Sequence, residues 1–235
     1  MTVPAAGGFG DPGVEALLRQ AAEWRLLGLL LERPRDGWPA DVEALAGEVS
    51  DPEIKVAAGR AREEATEGAY LALLGPGGVV SPREVSYRGM EDPGHVIAGI
   101  MAFYEAFAFH PETEEAPDHF AVEAGFLGYL CLKEAYARAR GKGGQAELAA
   151  EAAASFREAH LATFAGPVAG RLEASDVRYL GLAAQILARR AGPRRGPEPT
   201  AGPLRLACDD GCPLECGSPG NERRWSRPAR RGRGR

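Results

Sequence analysis

Ala116-Pro117-Asp118-His119-Phe120-Ala121-Val122-Glu123 places three ionisable side chains within six residues, at the mouth of a strongly apolar segment. Beyond Phe120 come Ala124, Phe126, Leu127, Tyr129, Leu130, Cys131 and Leu132, which read as a buried helix. A polar cluster opening such a helix is either a cap or a site. As a cap, Asp118 accepts hydrogen bonds from the orphan N–H groups of the first turn. His119 and Glu123 stand four residues apart, so a helix places them on one face, where they pair as a solvated couple.

The rest of the chain extends the helical reading. Ala, Leu, Glu and Arg dominate its 235 residues, Val and Ile are sparse, and no alternating apolar run suggests a strand. Val14, Leu17, Leu18, Ala21, Trp24 and Leu27/Leu31 form one stripe of a helix over residues 14–32, which Arg33-Pro34-Arg35-Asp36-Gly37 ends. A second helix follows Pro39. Asp51-Pro52 caps a third that runs towards Leu74, where Gly75-Pro76-Gly77-Gly78 stops it. Ser81-Pro82-Arg83-Glu84 has the form of a capping box. Asp92-Pro93 opens a helix with Val96, Ile97, Ile100, Met101, Tyr104 and Phe107 on its apolar face. Further helices are expected from Asp118 to about Arg140, over residues 145–172 with an interruption at Gly166-Pro167, and over residues 174–190. Phe156, His160 and Phe164 recur every fourth residue as a buried stripe. The expected architecture is all-α: one multi-helix bundle over residues 13–191, between a flexible N-terminus (1–12) and a Pro/Gly/Arg-rich flexible tail (192–235).

Charge is unevenly spread. The net charge is −5, but residues 223–235 hold seven Arg and no acid, so residues 1–222 carry about −12. An acidic body suits a cationic partner and argues against nucleic acid as the main ligand. No segment reads as a membrane span, and residues 1–20 lack the basic and apolar regions of a secretory signal, so the expected compartment is the cytoplasm. Cys208, Cys212 and Cys216 form C-x3-C-x3-C in the tail. That spacing lacks the second pair a structural zinc site wants, and we read it as thiol chemistry without bound metal. None of His95, His110, His119 and His160 has a Glu three residues before it, which argues against a di-metal bundle site. No phosphate-binding loop or nucleophile elbow occurs. No cofactor is expected.

Several pieces fall in one order. Trp24-Arg25-Leu26-Leu27-Gly28-Leu29-Leu30-Leu31-Glu32-Arg33-Pro34 is followed by Ser81-Pro82-Arg83-Glu84-Val85-Ser86-Tyr87, Phe103-Tyr104-Glu105-Ala106-Phe107, Pro117-Asp118-His119 with Glu123, and Phe156-Arg157-Glu158-Ala159-His160-Leu161. Over residues 14 to about 190 this resembles the all-helical cytoplasmic chaperones that mature molybdenum oxidoreductases, the family of trimethylamine-oxide, dimethyl-sulfoxide and nitrate reductase chaperones. Two departures stand out: Arg83 where that family usually has an aromatic before its acidic residue, and Glu123-Ala124 in place of Glu-Leu.

The resemblance implies a non-enzymatic protein. It implies a chaperone that binds the twin-arginine leader and the body of a molybdopterin-dependent catalytic subunit and holds it until cofactor is inserted. Its partners would be that subunit and its signal peptide, with no nucleic acid and no stable membrane insertion, and the chaperone itself would be a monomer or homodimer. A groove between helices would bury the apolar part of the leader, and rim carboxylates would take its arginines. On this reading Asp118 and Glu123 contact the arginines, with Glu84 as a further candidate. His119 orients a carboxylate beside Pro117, and Tyr87, Phe103, Tyr104 and Phe120 line the apolar part. Two other readings stand beside it: a small helical enzyme holding a metal through His119 and Glu123, and an accessory subunit retained in the mature reductase.

Overall fold

Three Asp-Pro dipeptides start three helices by the same device. In the computed structural model, which describes residues 8–193, Asp11, Asp51 and Asp92 each stand in extended conformation before a Pro in the first helical turn. Each lends Oδ1 to the next two free backbone N–H groups, at 2.7–3.3 Å. The helices that follow are α1 (Pro12–Leu30), α3 (Pro52–Glu64) and α5 (Pro93–Ala106). Between and beyond them lie α2 (Trp38–Glu48), α4 (Glu67–Leu74), α6 (Phe120–Ala139), α7 (Gly143–Phe156), α8 (Ala162–Glu173) and α9 (Arg178–Ala191). A 3-10 turn covers Glu84–Tyr87 and a π turn Arg157–Leu161. Among the described residues no strand forms, and the expected all-α class holds. The three cysteines at 208, 212 and 216, the arginine-rich segment and residues 1–7 lie outside the described residues.

Most helix ends shift by one or two residues from the sequence-based expectation, and three boundaries differ in kind. The helix expected from Asp51 to Leu74 breaks at Ala65-Thr66, because Thr66 turns extended and its hydroxyl caps α4 at Ala69 N, 3.1 Å. The 145–172 region is interrupted at the π turn and not at Gly166-Pro167, which lies inside α8. The last helix starts at Arg178, where the Glu64 carboxylate reaches across from α3 to accept from Tyr179 N at 3.1 Å.

The core is built on α1 packed against α6. The stripe expected on α1 is buried at Val14, Ala21, Trp24, Leu27 and Leu31, but Leu26, Leu29 and Leu30 are buried as well, so the end of α1 is enclosed on every side. Its terminal carbonyls are therefore answered by side chains: the Trp38 indole donates to Leu29 O (2.9 Å) and the Tyr70 hydroxyl to Leu31 O (3.2 Å). The two helices approach through glycines. A Cβ on Gly28 would stand 3.0 Å from Ala121 O, and one on Gly128 3.1 Å from Ala21 O and 3.2 Å from Trp24 Cβ. Gly28→Leu is therefore expected to push α1 off α6 and cost about 3 kcal/mol or more, beyond the usual range for overpacking; urea unfolding checks this.

Candidate functional site

The 81–87 and 116–120 segments are joined by their backbones. Glu84 N donates to Asp118 O and Phe120 N to Pro82 O, each at 2.9 Å, which makes one antiparallel bridge between Arg83 and His119. Tyr104 adds a third element, its hydroxyl donating to Pro117 O at 2.9 Å. This pairing brings together residues that the sequence holds 35 positions apart.

Asp118 is not the cap of α6. That role falls to His119, whose Nδ1 accepts from Ala121 N at 3.2 Å. The fully buried Asp118 carboxylate faces the other segment. Its Oδ2 accepts from Val85 N at 3.3 Å, in the first turn of the 3-10 helix, and its Oδ1 accepts from Arg83 Nε (2.9 Å) and pairs with the terminal guanidinium nitrogen (2.7 Å). The capping box at Ser81 does not form either. Ser81 Oγ accepts from Arg83 N at 3.3 Å in a local turn, and Glu84 is turned inward and fully buried.

Glu84 is the hub of the cluster. It binds the Arg88 guanidinium through Oε1, with Arg88 Nε at 2.6 Å, while Oε2 lies 3.0 Å from His160 Nδ1 and Thr163 Oγ1 donates to Oε1 at 3.4 Å. Arg88 also donates to Ala159 O, a carbonyl of the π turn. His160 is the buried, partnered histidine that the Phe156/His160/Phe164 stripe predicts. Its ring lies 4.8 Å from that of Phe156 and edge-on to Phe103 at 5.8 Å. A π turn shifts the register of a helix by one residue and is frequent at functional sites; here it places both His160 and the Ala159 carbonyl against the 84–88 segment.

His119 and Glu123 do not pair. As the cap, His119 has extended backbone, so its ring leaves the helical face on which Glu123 stands. With Nδ1 accepting, the proton sits on Nε2, which faces the Tyr70 hydroxyl at 3.2 Å. Burial, with the Arg83 charge nearby, pushes the imidazole pKa down to about 3. Glu123 is fully buried and no donor reaches either of its oxygens. Burial first, then the Glu84 charge, hydrogen bonding with Glu84 and the Asp118 charge hold its pKa well above the ordinary carboxyl value. A protonated Glu123 becomes the donor that Glu84 can accept, and this removes the conflict between two buried acids. Because the two side chains face different partners, the metal reading through His119 and Glu123 has no shared ligand position.

The apolar candidates separate. Tyr104 and Phe120 belong to the core, and Tyr87 is buried with its ring 5.8 Å from Phe164. Phe103 alone lines an open groove of about 440 Å³ between α5 and α7, with Gly99, Ala102, Phe107, Leu148 and Ala152. Glu151 and Ser155 are its polar lining residues. Leu148 is 59% exposed there. The groove and the buried cluster share a wall, since Phe103 packs on His160 and His160 binds Glu84. Sequence reasoning missed Arg88, whose spacing of four from Glu84 was the available signal. It also missed the α7 side of the groove, for which no local signal exists.

Residues 36–169, more than half of the chain, match the family described as nitrate reductase delta subunit. The chain belongs to that family. It is 34% identical over 122 residues to the chlorate reductase assembly chaperone protein of Ideonella dechloratans and, over the same length, to the selenate reductase assembly chaperone protein of Thauera selenatis. Each match covers 49% of this chain and 62% of the relative, so the chain spans under two thirds of these relatives' length. No solved structure matches. The motifs quoted at 81–87, 103–107, 117–123 and 156–161 all fall inside the matched span of this delta subunit family member.

Proposed function

We propose that this chain is a non-enzymatic, cytoplasmic maturation chaperone. It binds the twin-arginine leader and the body of a molybdopterin-dependent reductase catalytic subunit, aids cofactor insertion and delays export until the subunit is complete. The observation that carries this reading is the groove between α5 and α7. Gly99, Ala102 and Ala152 give it a floor of small side chains, and Phe103, Phe107 and Leu148 flank it. Such a surface accepts a helix or an extended apolar segment at close approach, and the apolar part of a leader supplies one. Family membership and two relatives named as assembly chaperones support the same reading. The acidic body speeds encounter with a cationic leader.

Leu148→Asp tests it. The side chain is exposed, so the fold tolerates the change, while a charge replaces apolar surface that the leader would bury. Burying a leucine is worth roughly 1.5–3 kcal/mol. Affinity for the leader peptide, measured by calorimetry, is therefore expected to fall about tenfold or more. Equal binding by the variant and the parent would remove the groove from the function.

A further inference from the structure

Asp118 was expected to present its carboxylate to a partner's arginines, yet it is already occupied. The occupant, Arg83, is an arginine of the same chain. We propose that the Asp118 carboxylate is an exchangeable guanidinium site, filled by Arg83 in the free chain and by an arginine side chain of the client's leader in the complex. The identity of the displacing arginine rests on the leader-binding function proposed above.

Three observations carry this. First, the two arginines of the cluster are held very differently. Arg88 binds Glu84 twice, donates to Ala159 O and approaches Glu91 at 3.6 Å, with its side chain 19% exposed. The Arg83 side chain is 41% exposed, and Asp118 is the one hydrogen-bond partner of its guanidinium among the described residues. Arg83 can swing into solvent without breaking anything else. Second, exchange preserves the charge balance. Removing a guanidinium from a buried carboxylate without replacing it strands an unpaired charge and costs several kcal/mol, whereas a second guanidinium restores the same planar, charge-assisted contact. An ammonium group lacks that fork, so the site selects arginine over lysine. Third, Glu123 is fully buried without a donor and lies close enough to Glu84 and Asp118 to be affected by both charges. With Glu123 protonated and donating to Glu84, the cluster pairs two carboxylates, Glu84 and Asp118, with two guanidinium groups, so it has a place for one incoming arginine when Arg83 leaves.

The position of the site suits this role. Asp118 connects through the backbone of Glu84, then His160 and Phe103, to the α5/α7 groove. In this arrangement Arg83 competes with the leader, so the free chain keeps its buried acid neutralised and release of the client needs no separate charge.

The test compares the full chain with Arg83→Ala, and with Arg83→Gln should the alanine variant fail to fold, since Gln keeps a donor beside Asp118. Binding is measured by calorimetry to a leader peptide carrying an arginine pair and to one carrying a lysine pair. In parallel, the melting temperature is followed with millimolar N-acetyl-arginine amide. The Arg83 variant is expected to bind the arginine peptide at least fivefold more tightly than the parent, with no such gain for the lysine peptide. The amide is expected to raise the melting temperature of the Arg83 variant but not of the parent or of Arg83→Ala/Asp118→Asn. Equal binding of the arginine peptide by variant and parent overturns the exchange. If the peptide binds neither protein, the leader reading falls, and the amide alone decides the guanidinium site: Asp118-dependent stabilisation sustains it and no stabilisation overturns it.

Discussion

Glu84→Ala is expected to be the most damaging substitution in the cluster, lowering stability by about 3–5 kcal/mol. The carboxylate is fully buried and holds Arg88, His160 and Thr163 together. Its loss takes the main counter-charge from a largely enclosed guanidinium, which keeps only Ala159 O and the more distant Glu91 as partners. The 3-10 turn also loses its tie to the π turn, since Arg88 reaches Ala159 O from its position on Glu84. For a domain of this size such a loss corresponds to a drop of roughly 10 °C in melting temperature. Glu84→Gln keeps the volume and one acceptor, and is expected to cost less than the alanine change. The double variant Glu84→Ala/Arg88→Ala should lose less than the sum of its single changes, because the second substitution removes the charge that the first one strands. Strict additivity in urea unfolding would show that Glu84 and Arg88 do not act as a pair.

Glu123→Gln is expected to stabilise the protein at neutral and alkaline pH. The folded state raises the pKa of Glu123, so it retains a proton that the unfolded chain releases above about pH 4.5. The contribution of this group is therefore fully present below pH 4.5 and is lost as pH rises through the folded value, at a slope approaching 1.4 kcal/mol per pH unit. Gln mimics the protonated acid and donates to Glu84 at every pH. Stability of variant and parent should be similar near pH 4.5, and the variant should pull ahead as pH rises. His119 acts in the opposite sense in both proteins. Its imidazole, depressed to about 3, favours the folded state above pH 6.5, and that stability is lost as pH falls towards 3. Taking the difference between variant and parent cancels this contribution. A pH-independent difference would mean that Glu123 is not held protonated. Replacing Glu84 by Gln removes a negative charge that raises the Glu123 pKa, so the pH trend should shrink in Glu84→Gln.

Much of the scaffold was legible because its causes are local. The Asp51 and Asp92 caps, the Gly/Pro stop at residues 75–78, the α1 stripe and the buried Phe156/His160 stripe each depend on neighbours within about four positions, the range over which caps and helical faces act. The motifs at 81–87, 117–123 and 156–161 were legible as members of one ordered set, and the structure brings them into contact. The partners within that set were not legible. Asp118 has the form of a cap and His119-x-x-x-Glu123 the form of a surface pair, and a reader of local spacing assigns them so.

By itself, the sequence determined an all-helical chain, its main helix starts and the segments that matter. Only the tertiary structure decided who neutralises whom. Arg83 meets Asp118 across 35 residues and Glu84 meets His160 across 76. A buried charge takes whichever opposite charge or donor the packing brings within about 3 Å, because leaving it unpaired costs more than any local preference for a cap or a helical pair. The backbone bridge at Arg83 and His119 and the π turn at Arg157–Leu161 set those distances, and neither leaves a periodic trace in the chain.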